Sequence, residues 1–522
     1  MRPLRPTTLR HFALPLLALA CGPSGGGSSG ATDSSTTATT DAATTVADSE
    51  TTAATAATAA TTDTDSDTGT DTGAPLDPCY GDLSALSAPI PWDRGQPEIG
   101  GCLTRGVRDY RAIVHIHSPH SHDACDGDPQ PGGELDEDCL ADLRHGLCVT
   151  RVDVAFLTDH PAHADGVPLA DMVLTRRGDQ PVLDDQGRTV ANWIACPEGH
   201  RVLLIPGIES GSMMPLGIPE HAPPGTYGES SPQSFKTIRD LGALAWVAHT
   251  EGRDVEELAT LGLTGLEFYQ LHANLDPDIR ADHLGLDPAG FLTDVLPFFF
   301  PVGGVAPEPD LAPLGFLIPN EPSILAFERL GQTQRLTISA GTDAHQNVLP
   351  SAAPDGERID SYRRMIRWFN NRLRIDGPLT VDSAKAALAA GRAHIVFESL
   401  GTPQGFDFYA RGGDTTYDFG GELPYAPGLE IHAHLPHLDP RSPQGDQPPA
   451  VQGRLYRATA EGRELVAEWS EGELTHMVAG PGVYRLEVWI TPTHLTPYLG
   501  DVAEPYRSRP LPWIYSGGLF VR

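Results

Sequence analysis

The chain is 522 residues long, enough for two or three domains, and carries a formal net charge of -33. A surface this acidic repels a phosphate backbone, so nucleic-acid binding by long-range attraction is excluded. Residues 1–20 place Arg2, Arg5 and Arg10 ahead of a short apolar run from Phe12 to Ala20, the layout of an export signal. That run is too short to span a bilayer.

Ala18-Leu19-Ala20-Cys21-Gly22 resembles the lipobox of bacterial lipoproteins, with Ala18 where that family usually has Leu. The resemblance implies cleavage before Cys21, a lipid on Cys21 and anchorage to a membrane. Gly22 in place of Asp implies the outer membrane or cell surface. From 21 to 76 the chain is mostly Gly, Ser, Thr, Ala and Asp, which buries too little apolar surface to offset its ordering entropy, so a disordered tether is expected. Six further cysteines follow, Cys79, Cys102, Cys125, Cys139, Cys148 and Cys196. In an exported chain an even number predicts three disulfides. About 15 pairings are open, with Cys79–Cys102 and Cys125–Cys139 as local closures, and the bridges are expected to lie apart from any active site.

Residues 77–392 read as an α/β segment. Strands are predicted at Tyr110 to His117, Val152 to Leu157, Arg201 to Ile205, Leu244 to Ala248, Leu263 to Leu271 and Leu336 to Ala340, with helices such as Pro232 to Leu241 and Arg253 to Leu261 between them. Each strand but the fifth ends in metal-ligand chemistry: His115-Ile116-His117, Thr158-Asp159-His160, Gly207-Ile208-Glu209, Ala248-His249 and Gly341-Thr342-Asp343-Ala344-His345. In the first, the two-residue period of a strand puts both imidazoles on one face, where they can share an ion. Imidazoles and carboxylates delivered at successive strand ends are what a multinuclear site on a parallel barrel requires.

These motifs together resemble the PHP (polymerase and histidinol phosphatase) family over roughly 109–392. The resemblance implies a distorted seven-stranded β/α barrel, with two or three divalent metals at its C-terminal mouth and phosphoester hydrolysis as its chemistry. Carried over by position, His115, His117, Glu209 and Asp343 would hold one ion. Glu209 would bridge to a second at His249, and His160 and His345 would hold a third. The family's usual Asp in a Ser-Asp-Gly run is replaced here by Ser121-His122, so His122 is the expected ligand ahead of Asp123 or His120. His221 is the expected histidine of the loop after Glu209, although Glu220 stands where the family usually has glycine.

Asp159, beside a ligand, is the candidate to orient an imidazole or relay a proton, and its alternative role is to cap a local turn. Arg144, Arg151 and Arg253 are candidate phosphate contacts. A histidine-rich set with few carboxylates suits zinc, manganese or iron, zinc foremost, better than magnesium or calcium. Asp126 to Asp138 reads as a disulfide-closed surface loop, and Leu296 to Pro301 as a proline-broken segment packed on the barrel. Ile359, Tyr362, Ile366, Phe369 and Leu373 recur at helical spacing among arginines, which predicts a helix with a solvated basic face.

From 393 to 522 short alternating strands, Phe406 to Ala410, Leu429 to Leu435, Arg454 to Tyr456 and Val483 to Ile490, predict an antiparallel β-sandwich accessory domain. The expectation for the whole is an exported, membrane-anchored metal-dependent phosphoesterase. It would act outside the cytoplasm on a small phosphorylated substrate, a phosphomonoester or small phosphodiester. The alternative is a non-catalytic, metal-containing surface protein that binds a glycan or protein partner. Nothing in the sequence sets the oligomeric state.

Overall fold

Ten strands precede Phe397 among the described residues: β1 (Arg108–Ile116), β2 (Val154–Leu157), β3 (Gln180–Leu183), β4 (Thr189–Ala195), β5 (Arg201–Ile205), β6 (Trp246–Val247), β7 (Gly265–Gln270), β8 (Thr337–Gly341), β9 (Asn370–Ile375) and β10 (Ala393–Val396). In this computed structural model the described residues are 91–99, 105–211, 213–228 and 230–522, all within the compact unit Ala74–Arg522. The export signal, Cys21, the tether, Cys79 and Cys102 lie outside them.

The fold is mixed α/β. β1 is buried from Arg111 onward because it has neighbours on both edges, β2 in parallel and β9 antiparallel. β2 continues in parallel to β5, which pairs antiparallel with β4, and β4 with β3. β6, β7 and β8 form a separate parallel sheet. Isolated bridges join the two groups: Ala344 meets Ile116, while Met213 and Leu216 meet Val247 and Leu244. Strands covered on both faces and edges read as apolar runs, which is why their sequences show little alternation.

Helix α1 (Glu137–Val149) starts where the Asp136 carboxylate accepts from the backbone N–H groups of Asp138 and Cys139. Leu140, Leu143 and Leu147, one stripe of the helix, are buried. The predicted helices after β5 and β6 occur as Pro232–Asp240 and Val255–Thr260, each started by an N-cap side chain, Ser231 and Asp254.

Beyond β10 the strands pair antiparallel as expected, except that Glu422–Leu423 runs parallel to Leu519–Val521, but one sheet runs through the region. Leu511–Tyr515 pairs with β10 on one edge and with Gly482–Thr491 on the other, and a separate antiparallel sheet is built from Asp407–Gly412, Thr415–Asp418, Glu430–His434 and Glu473–Met477. The anticipated 392/393 boundary therefore falls at the first residue of a strand with partners on both sides.

The basic stretch after Ile359 is a correction. The helix covers only Tyr362–Trp368, and the next arginines belong to β9. Its arginines are not solvated: Arg363, Arg364, Arg367, Arg372 and Arg374 are all buried. Arg363 and Arg364 close on Asp310, Arg372 on Glu398 and Arg374 on Asp407. Buried guanidinium groups require such partners, and those partners are remote in sequence. Phe298 and Phe299 pack inward as expected, with Phe300 half exposed.

Candidate metal centre

β1 delivers His115 and His117 with their Nε2 atoms 3.1 Å apart, and Asp343 Oδ1, just past β8, lies 3.1 Å from each of them. Donors on one tetrahedral ion at ordinary zinc–nitrogen distance stand about 3.3 Å apart. Glu209, past β5, reaches across the group. Its Oε2 is 2.9 Å from His160 Nδ1 and its Oε1 is 3.5 Å from His249 Nε2. Three sets of ligand atoms gather within 4.8 Å: His115, His117 and Glu209; His115, His249 and Asp343; and His117, His160 and His345. His117 thus belongs with the third pair as well as the first, which differs from the division by motif.

The outer nitrogens are tied to the protein. His115 Nδ1 donates to Glu267 Oε1 at 2.7 Å, since a carboxylate only accepts. His117 Nδ1 lies 2.8 Å from Ser121 Oγ. The Nδ1 atoms of His160 and His345 donate to the carbonyls of Glu209 and Asp343, both at 2.9 Å. Anchoring one ring nitrogen fixes the tautomer and leaves Nε2 as the free donor. The inner atoms Asp343 Oδ1, His345 Nε2 and Asp123 Oδ1 are buried without hydrogen-bond partners, a costly state unless a cation serves them. The residues present therefore fit a divalent metal.

Charge points the same way. Burial opposes a proton on His115, yet the carboxylates of Glu267 and Asp343 outweigh it and hold the imidazole well above its ordinary range. Burial likewise opposes His249, and Glu209 with Asp343 pushes it up to about 9. Burial opposes ionisation of Asp343, but His115 and His345 hold it well below the carboxylate range. His117 is the exception, pushed down by burial and by His345; it stacks on His345 with ring centroids 3.7 Å apart.

Two glycines make room. A Cβ on Gly207 would lie 2.6 Å from the Leu157 carbonyl oxygen and 2.7 Å from that of Pro215, and one on Gly341 would lie 2.0 Å from Glu267 Oε1. His249 and Asp343 adopt left-handed backbone, φ 51° and 52°, a strained conformation of the kind that collects at functional sites.

Four sequence expectations change here. His122 does not enter the cluster: its side chain is 49% exposed. Asp123 takes that place, with Oδ1 3.5 Å from His345 Nε2 and Oδ2 3.6 Å from His160 Nε2. His221 is not in the cluster either; its Nε2 donates to the Val167 carbonyl at 2.7 Å. Asp159 has its side-chain hydrogen bonds with Ser118, accepting from Ser118 N at 2.6 Å and Ser118 Oγ at 2.8 Å, so it holds the turn after β1. Finally, the Cys125–Cys139 disulfide borders the centre, since Cys125 N donates to the His345 carbonyl. The other disulfide among the described residues is Cys148–Cys196.

Sequence reasoning missed Glu267, which binds His115 and accepts from His249 N at 3.0 Å. The signal was an acid inside an otherwise apolar strand, Gly265-Leu266-Glu267-Phe268-Tyr269. Of the arginines offered for phosphate, Arg144 is paired with Asp179, Arg151 with Glu198 and Arg253 with Glu257.

No protein-family model and no curated protein sequence matches this chain. Among solved structures it is similar to PsfC from Pseudomonas syringae PB-5123, at 12% identity and a TM-score of 0.32, over 56% of this chain and 93% of that one. It is also similar to a two-domain protein containing a predicted PHP-like metal-dependent phosphoesterase from Bacteroides vulgatus ATCC 8482, at 12% identity and a TM-score of 0.34, over 81% of this chain and 99% of that one.

Proposed function

We propose that this protein is a metal-dependent phosphoesterase that hydrolyses a phosphomonoester or small phosphodiester outside the cytoplasm, held at a membrane by lipid on Cys21. The carrying observation is the cluster of four imidazoles anchored at Nδ1, which gather with His249, Glu209 and Asp343 in three overlapping sets of ligand atoms. The bridges between Ala344 and Ile116, and from Met213 and Leu216 to the β6 region, support reading β1, β2 and β5 to β8 as parts of a distorted seven-stranded barrel. Its strand ends then bring the ligands together.

In this reading His115, His117, Glu209, His249 and Asp343 hold a pair of divalent ions, and Asp123, His160 and His345 hold a third. Divalent ions so placed supply a water made acidic enough to lose a proton near neutrality, and neutralise charge on the phosphate oxygens. The chain's own contribution is orientation. Glu267 and Ser121 aim the two imidazoles at the end of β1, Asp159 fixes the turn behind them through Ser118, and Glu209 turns one oxygen to His160 and the other towards His249. The histidine-rich donor set favours zinc over magnesium.

The test is a panel of phosphomonoesters, phosphodiesters, and carboxyl and amide esters assayed with zinc- and manganese-loaded protein. Turnover confined to the phosphoesters is expected. Turnover confined to carboxyl or amide esters would refute the proposed chemistry while leaving the metal centre standing.

A further inference from the structure

Asp123 reaches the centre from a loop whose backbone is held in three ways. Cys125 N donates to the His345 carbonyl at 3.0 Å, Asp126 N to the Gln346 carbonyl at 3.0 Å, and Asn347 Nδ2 to the Asp123 carbonyl at 2.9 Å. Both segments are strained where they meet, since Cys125, Asp126 and Gln346 all adopt left-handed backbone with φ of 55°, 59° and 57°. Residues bearing a Cβ stay in that conformation only where their surroundings over-determine it. Asp126 also pairs with Arg358 through both carboxylate oxygens, and a further constraint is covalent: Cys125, two residues beyond Asp123, is bonded to Cys139 in the first turn of α1, and that turn is itself fixed by the Asp136 cap.

Resting on the metal reading above, we propose that the Cys125–Cys139 disulfide positions Asp123, so that cation binding at Asp123, His160 and His345 depends on the disulfide being oxidised. With the bond intact, the loop presents both Asp123 oxygens to the two imidazoles, 3.5 and 3.6 Å away. Reduction by a dithiol transfers two electrons and two protons to the sulfurs, giving two thiols, while the dithiol closes to its own disulfide. The loop then keeps its hydrogen bonds and the partly exposed Asp126–Arg358 ion pair, for all of which water competes, and Asp123 loses its fixed place. The ions at His115, His117, Glu209, His249 and Asp343 stay, because none of those residues is on this loop. An enzyme built this way completes its centre only after oxidation.

Cys148–Cys196 supplies the control. Cys148 lies nine residues along α1 from Cys139, about 14 Å of helix, and joins the helix's far end to Cys196 just past β4.

The experiment counts zinc per chain by equilibrium dialysis and elemental analysis. It compares oxidised protein, protein reduced with a phosphine, alkylated with iodoacetamide and desalted, the Cys125→Ser/Cys139→Ser double variant, and Cys148→Ser/Cys196→Ser. Reduced protein and the first double variant should bind one fewer zinc per chain, or bind the weakest zinc at least tenfold more weakly, with the other affinities unchanged. The second double variant should keep the oxidised protein's stoichiometry. If the first double variant does not fold, the reduced and alkylated native protein decides alone. A full zinc complement at unchanged affinity after reduction would overturn the inference and leave the metal reading intact. Oxidised protein that binds no zinc would overturn the metal reading itself.

Discussion

Glu267 and Asp123 show how a buried carboxylate acts through its neighbours. Glu267 fixes one ring of the pair at the end of β1 and also accepts from the backbone of His249, so replacing it with Gln should loosen two ligands without removing either. Such outer partners are typically worth 10–100-fold in metal affinity, and a zinc titration of Glu267→Gln should show a loss of about that size with the fold intact by circular dichroism. Asp123 and its neighbour make a sharper comparison. His122 is half exposed at the rim, whereas Asp123 faces His160 and His345. Asp123→Asn should cost one zinc per chain and His122→Ala none; the reverse would restore His122 as ligand. The motif order in the sequence exposed His115, His117, His160, Glu209, His249, Asp343 and His345 as a group. It misdirected the choice between adjacent residues 122 and 123, because which of two consecutive side chains turns inward depends on a loop conformation that no periodicity encodes.

At the level of elements, the strands were legible because two-sided burial leaves continuous β-branched and apolar runs, as in Arg201–Ile205, which was expected at the limits observed. The arginine-rich stretch from Arg358 to Arg374 was not legible as a buried network. Its carboxylates, Asp310, Glu398 and Asp407, lie elsewhere in the chain, and arginine at helical spacing has the same pattern on a wet face. Glu398 is the clearest test. It accepts from Arg111 and Arg372 at 2.5 Å and from Thr402 at 2.8 Å, and is fully buried. Glu398→Gln should destabilise the protein by about 3–5 kcal/mol, since two buried guanidinium groups lose their counter-charge; a change below about 1 kcal/mol in a denaturant titration would contradict the assignment. Burial opposes ionisation of Glu398, but Arg111 and Arg372 lower it from 4.5 to about 2. The folded value is depressed, so this stabilisation is complete above about pH 4.5 and is lost as pH falls through about 2. The thermal midpoint of the wild-type protein should fall across that window, and the Glu398→Gln variant should show less of this fall.

For the whole molecule, the disulfides Cys125–Cys139 and Cys148–Cys196 accord with the proposed location outside the cytoplasm. Mass spectrometry of the mature protein should find an acylated Cys21 as its first residue; an unmodified N-terminus elsewhere would refute the anchor. The continuity of the sheet through β10 and Leu511–Tyr515 was beyond the sequence, because strand pairing between segments more than 100 residues apart leaves no local signature. In the metal centre that this sheet helps to hold, Glu209 is a buried carboxylate set between His160 and His249. The direct measurement is elemental analysis and phosphoesterase activity of purified wild-type protein beside Glu209→Gln. Two or three transition-metal ions per wild-type chain are predicted, with fewer ions in the variant and activity lower by several orders of magnitude while the fold persists. Full metal content and full activity in Glu209→Gln would contradict the account.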